Sequence, residues 1–480
     1  MARLAVAALA LAFLGLLARA LRSPGFIWED DYTHLAISFS ASHHPLEILN
    51  VWGRPLMTLV YIPASLLPGD LAVRATSFVM LVTTAALTWR VARADGESWP
   101  AVAALCVVSQ PMIAAMGLGA LPGMVFSMTL AVALWLRSRG SHVAAALVVS
   151  LLPLARLEGL VVLAAWGVFL LIERRPRLVP LLATAAALWA TVGALASGDP
   201  LWLIHNNPYP FHSEYARAGW RYLFRAGPIA FGPGVLALAA AAIVLRRWRD
   251  NLVLTLLLAL CGFYALVWGL AIVGSAATPT YLASAAVPMA LTARRGLLAL
   301  VDPAQRRWRW GLLAAVVAGL LFLVSQPFGN AQGLAALGVA GVVLLALLPA
   351  RHHPRPLHVT AAALLAVVVS GVLFTPSLRL RGLDRAAREL ADTALTRDIA
   401  VAESTLPSFA WYNRHRGTAL APAGAMDLLG QRREGYTIVW DSRFAAPGLT
   451  AERLTGLGYV AMWTRTTDGA TVALWRRSHS

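Results

Sequence analysis

Long apolar runs recur along the first three quarters of the chain, most of them roughly 16–22 residues long and closed by an arginine cluster or a Gly/Pro break. A hydrocarbon core of ~30 Å is crossed by about 20 helical residues, so these runs have the length of membrane spans. Composition agrees: 59% of the 480 residues are hydrophobic, 13% are charged, and mean hydropathy is +0.66. A water-soluble fold of this size has no interior large enough for so much apolar surface.

The formal charge of +17 does not point to nucleic acid. All 40 basic residues are arginine, with no lysine, and many sit in short clusters between apolar runs, as the positive-inside rule requires. The lack of lysine and the Ala/Arg/Leu bias point to a GC-rich bacterial genome and carry no functional information. Cys106 and Cys261 lie in apolar segments, with neither metal spacing nor a disulfide framework.

The runs predict a mainly α-helical, polytopic membrane protein with about thirteen spans. They cover 4–20, 71–89, 99–115, 121–136, 142–154, 157–172, 178–196, 229–245, 251–273, 280–293, 311–328, 333–349 and 358–375. With this order Arg90/Arg93, Arg137/Arg139, Glu173-Arg174-Arg175, Arg246-Arg247-Trp248-Arg249, the stretch Arg294 to Arg309 and Arg351 to Arg355 all fall on one side, the cytoplasm. The order requires that 55–67, a short segment containing Pro63, lies at the membrane surface or re-enters it. The alternative counts 55–67 as a span and merges the two runs around Arg156. Both versions put the N-terminus in the cytoplasm and leave loop 22–54, loop 197–228 and the tail outside the inner membrane. Ala18-Arg19-Ala20 resembles a signal-peptidase site, so a cleaved leader is the alternative for the first run.

Domain organisation follows: residues 1–377 form the transmembrane domain and 378–480 a small extracytoplasmic α/β domain. In the tail, 383–395 has helical spacing, 398–403 and 436–443 read as strands, 450–457 as a helix, and Asp468-Gly469 sits between two alternating runs as a hairpin signal. No glycine-rich phosphate loop occurs there. Acceptor docking or a structural cap fits such a tail better than catalysis does.

The sharpest local feature is Trp28-Glu29-Asp30-Asp31-Tyr32, three consecutive acids just after the first span. Clustered carboxylates at a lipid boundary are costly unless a cation or substrate compensates them. A solvated acidic loop is the bland alternative. Its followers Tyr32, His34, His43, His44, Trp52 and Arg54 favour a functional loop.

The order first span, paired acids outside, short helix Tyr32 to Ser42, then Gly-Arg-Pro-Leu leading into an apolar segment resembles the GT-C superfamily of membrane glycosyltransferases. The nearest groups are the aminoarabinose transferases and protein O-mannosyltransferases. LPGDLAVRATSFVMLVTTAAL (67–87), with Arg74, and LPLARLEGLVVLAAW (152–166), with its Arg-x-Glu-Gly, are similar to segments of that group. One departure stands out: members often carry Arg-Tyr-Leu before a late proline, and this chain has Thr280-Tyr281-Leu282 with Pro288. The resemblance implies Asp30 as catalytic base and Asp31 as the residue that orients it or helps bind a metal. Glu29 takes the role if the register shifts by one. A divalent metal is left open, with Asp30 and Asp31 as its oxygen ligands.

Chemistry independent of family fits this picture. An acceptor hydroxyl or amine attacking an anomeric carbon must lose a proton, which one carboxylate within reach can take. The departing phosphate is a weak base that needs cations, and arginine's fork matches its oxygens. The outer-side candidates are Arg54, Arg156, Arg217 and Arg221, with His34, His205, His212 and Glu214 lining the site and loop 197–228 acting as a lid. Arg156 and Glu158, two apart, do not face each other along a regular helix; a mutual contact and a lipid-phosphate contact both remain open. Nucleotide sugars are not supplied outside the cytoplasm, so the donor is a polyprenyl-phosphate-linked sugar. The partners are membrane lipid, that donor, and a glycan, lipid or protein acceptor. The rivals are a transporter or flippase, a glycan ligase or polymerase, and a structural protein that has lost catalysis.

Overall fold

The computed structural model describes residues 2–23, 25–27, 29–96, 98–206, 219, 221–245, 251–270, 278–302, 364, 367, 368, 371, 375, 382–393, 398–401, 406–413, 419–422, 437–442, 450–467 and 470–477. The predicted spans 311–328 and 333–349 lie outside the described residues. The chain forms two compact units. The first comprises Met1–Arg22, Arg54–Met57 and Arg74–Ser377; the second comprises Ser23–Gly53, Thr58–Val73 and Leu378–Ser480.

The first unit is helical. Among the described residues, five helices are long and apolar enough to cross a membrane: Ala5–Arg22, Leu71–Ala94, Pro176–Ser197, Leu252–Leu270 and Pro279–Val301. Pro55–Ser65 has 11 residues. At 1.5 Å per residue it reaches about 16 Å, roughly half a hydrocarbon core.

In lipid each backbone polar group must be satisfied within the protein, so the breaks in the helices show how the sequence works. The predicted span 99–115 is two helices, Pro100–Val108 and Pro111–Met116, every residue of the second buried. Pro111 ends the first because the residue before a proline is driven out of the helical region, and Gln110 is extended (φ −79, ψ 118). The Gln110 N–H turns to Val107 O at 3.2 Å, which leaves the Cys106 carbonyl over. The Gln110 side-chain amide donates to that carbonyl at 3.1 Å and to Ala286 O at 2.8 Å. One glutamine thus closes the break and ties it to the helix Ala286–Val301.

Arginines do the same at helix ends. Arg74, the arginine of the family-like segment, is buried and donates to Ala20 O at 3.2 Å, near the end of the helix Ala2–Arg22. Arg19 donates to Thr375 O at 3.0 Å. Arg294 and Arg295 differ from expectation. The apolar pattern ends the span at residue 293 and puts them in a loop, whereas the helix continues to Val301 with both side chains buried. Asp95 supplies the charge that permits this: Arg295 Nη2 reaches Asp95 Oδ2 at 3.0 Å, and Arg294 donates to Ser98 O at 2.9 Å. Arg137 pairs with Glu173 at 2.7 Å, so the ends of Pro122–Ser138 and Gly159–Ile172 meet.

Close backbone approach needs glycine. A Cβ at Gly296 would overlap the Leu238 carbonyl of the helix Pro233–Val244, and one at Gly371 would overlap the Ser109 backbone. Small residues at such crossings let membrane helices touch at backbone distance.

The second unit contains the helix Glu29–His43, the turn Pro45–Leu49 and the tail. The tail forms a five-stranded sheet, β1 (Asp398–Val401), β2 (Ala419–Pro422), β3 (Thr437–Asp441), β4 (Tyr459–Thr467) and β5 (Ala470–Arg477), in the order β2-β1-β3-β5-β4. β1 pairs parallel with β2 and β3; β3–β5 and β4–β5 are antiparallel. The predicted hairpin is there, with Thr467 opposite Ala470 and a bulge between Ala461 and Trp463. Alternation along β3 and β5 builds two cores. Val439 and Val472 face Ala386, Ala387, Leu390 and Phe409, while Ile438, Trp440, Ala473 and Trp475 face Leu454 and Tyr459. The helices Gly382–Thr393 and Ala451–Gly456 match the predicted ones; the Thr450 side chain caps the second by accepting from Arg453 N at 3.2 Å. The helix Leu406–Asn413 and β2 are additional.

Replacing Gly296 with Ala should lower the stability of the detergent-extracted protein by more than about 3 kcal/mol, because the added methyl meets backbone and not a movable side chain. Thermal unfolding followed by size-exclusion chromatography measures it; Gly262→Ala, where nothing crowds the Cβ, should leave the melting temperature unchanged.

Candidate functional site

The acidic triplet opens a helix. Glu29, Asp30 and Asp31 form the first turn of Glu29–His43, at the helix end where the dipole favours acidic residues. The turn separates the two aspartates: Asp30 is exposed and Asp31 fully buried. The Glu29 side chain lies outside the described residues. Tyr32, next along, is fully buried, edge-on to Phe26 at 5.2 Å. His34 is buried and stacks on Trp52, centroids 6.5 Å apart and planes 12° apart.

Residues from the tail complete this cluster within the same unit. The Tyr32 and Tyr412 hydroxyls are hydrogen-bonded at 2.8 Å. Trp411 Nε1 donates to Asp70 Oδ1 at 2.8 Å. Ser408 donates to the buried Asp384, and the Arg388 guanidinium lies 5.7 Å from the Tyr412 ring centroid. Burial pushes both phenols above the ordinary tyrosine range; Asp70 and Asp384 add to this by disfavouring phenolate. Both tyrosines therefore stay protonated throughout the physiological range. The sequence signal for this partner was slight: Phe409, Trp411 and Tyr412 crowd one short helix of an otherwise polar tail.

The first unit holds a second cluster, built at a helix break. The helix Leu152–Ala155 stops, Arg156 is extended (φ −158, ψ 144), and Gly159–Ile172 begins. That kink lets two residues that a regular helix would point apart meet: Arg156 Nε donates to Glu158 Oε1, with both residues buried. Gly159 is required, since a Cβ there would overlap the Leu152–Pro153 backbone. The Arg156 guanidinium also lies over the Tyr281 ring, 4.7 Å from its centroid. Aromatic contacts continue from Tyr281 to Tyr264 at 5.6 Å, Tyr264 to Trp268 at 5.4 Å and Trp268 to Tyr222 at 5.1 Å.

The remaining candidates divide. Arg54 is buried with φ 61, a left-handed conformation just before Pro55. His205 ends the short helix Trp202–His205, and its exposed ring contacts Asp199 at 2.8 Å. That bond, then the Leu201 N–H, hold the Asp199 carboxyl below its ordinary value. His212, Glu214 and Arg217 lie outside the described residues, as does the Arg221 side chain at the start of Arg221–Phe231. Among the described residues no group of three or more His, Cys, Asp or Glu side chains gathers as a metal site.

Solved structures supply the comparison. The chain is similar along 98% of its length to ArnT from Cupriavidus metallidurans bound to undecaprenyl phosphate, covering 97% of that chain, with a TM-score of 0.66 and 14% identity. ArnT from the same organism in the apo state matches with a TM-score of 0.61 and 14% identity over the same shares. The fold is therefore ArnT-like and mainly helical, with a small α/β tail. No family model and no curated protein match the sequence.

Removing either partner of the buried Arg156–Glu158 pair should cost roughly 3–5 kcal/mol, while the double replacement Arg156→Met with Glu158→Leu should cost less than either single change. Thermal unfolding of the three purified variants measures this.

Proposed function

We propose that the chain is an inverting glycosyltransferase that moves a sugar from a polyprenyl-phosphate donor to an acceptor on the outer face of the bacterial inner membrane, with Asp30 as general base. The observation that carries this reading is the division of labour on the acidic turn, one aspartate exposed beside its fully buried neighbour. An exposed carboxylate at a helix start can accept a proton from an incoming hydroxyl or amine; the buried Asp31 has its environment set by the protein. Likeness to a GT-C enzyme that binds undecaprenyl phosphate supports a lipid-linked donor.

In this reaction the acceptor oxygen or nitrogen bonds to the anomeric carbon as the bond from that carbon to the phosphate oxygen breaks. The acceptor proton passes to Asp30, and polyprenyl phosphate leaves with the electron pair. One displacement inverts the anomeric centre; retention would need a second carboxylate as nucleophile. Arg54 and Arg156, with Arg217 and Arg221 of loop 197–228, are the cations assigned to the phosphate, and His34, Glu158, His205, His212 and Glu214 are assigned to substrate binding. A divalent ion at Asp30 and Asp31 is not required by these steps.

The broken helix at Arg156–Glu158 favours one alternative, since transporters of lipid-linked or polar substrates bind at such interruptions. Asp30→Asn separates the two. Membranes from a strain lacking the gene hold both substrates, and detergent-purified full-length protein added to them restores transfer. The substitution should lower the rate about a hundredfold or more without changing the elution of the folded protein. A variant that transfers at the full rate overturns Asp30 as base.

A further inference from the structure

The tail does more than cap the molecule. Within the second unit, a line of contacts runs from its sheet to the acidic turn. Val439 of β3 and Val472 of β5 pack against Leu390 and Phe409, which seats the helices Gly382–Thr393 and Leu406–Asn413 on the sheet. Ser408 donates to Asp384 and links the two helices. From the second of them, Trp411 reaches Asp70 at 2.8 Å and Tyr412 reaches Tyr32 at 2.8 Å. Tyr32 is adjacent to Asp31 and two residues from Asp30.

We propose that Tyr412 and Trp411 are positioning residues: the C-terminal α/β unit fixes the first turn of Glu29–His43, and so the direction of the Asp30 carboxylate, through the Tyr32–Tyr412 hydroxyl pair and the Trp411–Asp70 bond. This rests on the reading of Asp30 as base. Tyr32 suits the task because it is fully buried, wedged by Phe26, and allowed one orientation by its neighbours. Both phenols keep their protons across the physiological range, so the bond between them persists at any pH at which the enzyme works. Gly69, with φ +73, makes the turn that presents Asp70 to the indole N–H. A base that must meet a substrate proton within hydrogen-bond distance gains from such a frame, because misplacement by about 1 Å costs up to a hundredfold in rate.

The test uses the full-length protein and membranes of the deletion strain as substrate source, with rates expressed per folded protein from size-exclusion chromatography. Tyr412→Phe and Tyr32→Phe each keep the ring and remove only the hydroxyl, and Asp70→Ala removes the acceptor of the Trp411 bond while leaving the buried indole in place. Each should lower the limiting rate about five- to tenfold while leaving the amount of membrane that half-saturates the reaction unchanged. The double variant Tyr32→Phe/Tyr412→Phe should be no slower than the slower single one, since both remove one bond. Unchanged limiting rates overturn the proposal. So does a rise in half-saturation alone, which would make the tail an acceptor-binding surface, or losses that multiply in the double variant. Asp30→Asn run alongside separates the two claims: if it abolishes transfer while the tyrosine variants are fully active, the base stands and the frame falls. If it remains fully active, the base and the proposed target of the frame fall together.

Discussion

A helix that stops inside a bilayer leaves carbonyls with no water to accept from, and this constraint decides where the chain can break. Several of the breaks and helix ends described above have a side chain that reaches a backbone carbonyl. Gln110 takes the Cys106 carbonyl that Pro111 sets free, Arg74 reaches Ala20 O near a helix end, Arg19 donates to Thr375 O, and Arg294 donates to Ser98 O. Satisfying these groups costs polar atoms in apolar surroundings, so each is fixed in one geometry. Rigidity at the breaks is then a consequence of the solvent, and a broken helix becomes a place where functional groups can be held still.

The Arg156–Glu158 cluster shows that consequence most directly. An extended residue, a following helix start and a glycine with no room for Cβ turn two charges two residues apart into a buried pair. In low dielectric the pair's attraction offsets desolvation only with good geometry, and the backbone kink supplies it. The acidic turn uses a different device. There burial of one aspartate beside an exposed one distinguishes two chemically identical groups.

Much of this was legible in the residues. Apolar run length predicted the long helices Ala5–Arg22, Leu71–Ala94, Pro176–Ser197 and Leu252–Leu270, and Asp468-Gly469 between alternating runs predicted the β4–β5 hairpin. The acidic triplet, the break near Arg156 and the composition change near residue 378 all stood out. What stayed hidden depends on partners far apart in sequence. Arg294 and Arg295 read as a loop because two adjacent arginines end the apolar run; Asp95, about 200 residues earlier, supplies the charge that lets the helix continue. Tyr412 carries no motif, and its link to Tyr32 crosses 380 positions. Local pattern reports periodicity and charge, whereas long-range pairing is set by packing that no window contains.

The departure at Thr280-Tyr281-Leu282 illustrates the difference between a residue and the group it supplies. The resemblance of the sequence to GT-C transferases implies an arginine before that tyrosine, and Thr280 stands there. Thr280 instead bonds through its hydroxyl to Thr278, and no charge is contributed by that turn. Yet a guanidinium does lie on the Tyr281 ring: it belongs to Arg156, brought there by the kink that also places Glu158. The ring face favours a cation electrostatically whichever segment provides it. A carboxylate bound to the same guanidinium holds it in place while leaving its remaining N–H groups to other partners, since arginine offers five donors. The chain thus places a positive charge beside Tyr281 through backbone geometry at Arg156 and Gly159.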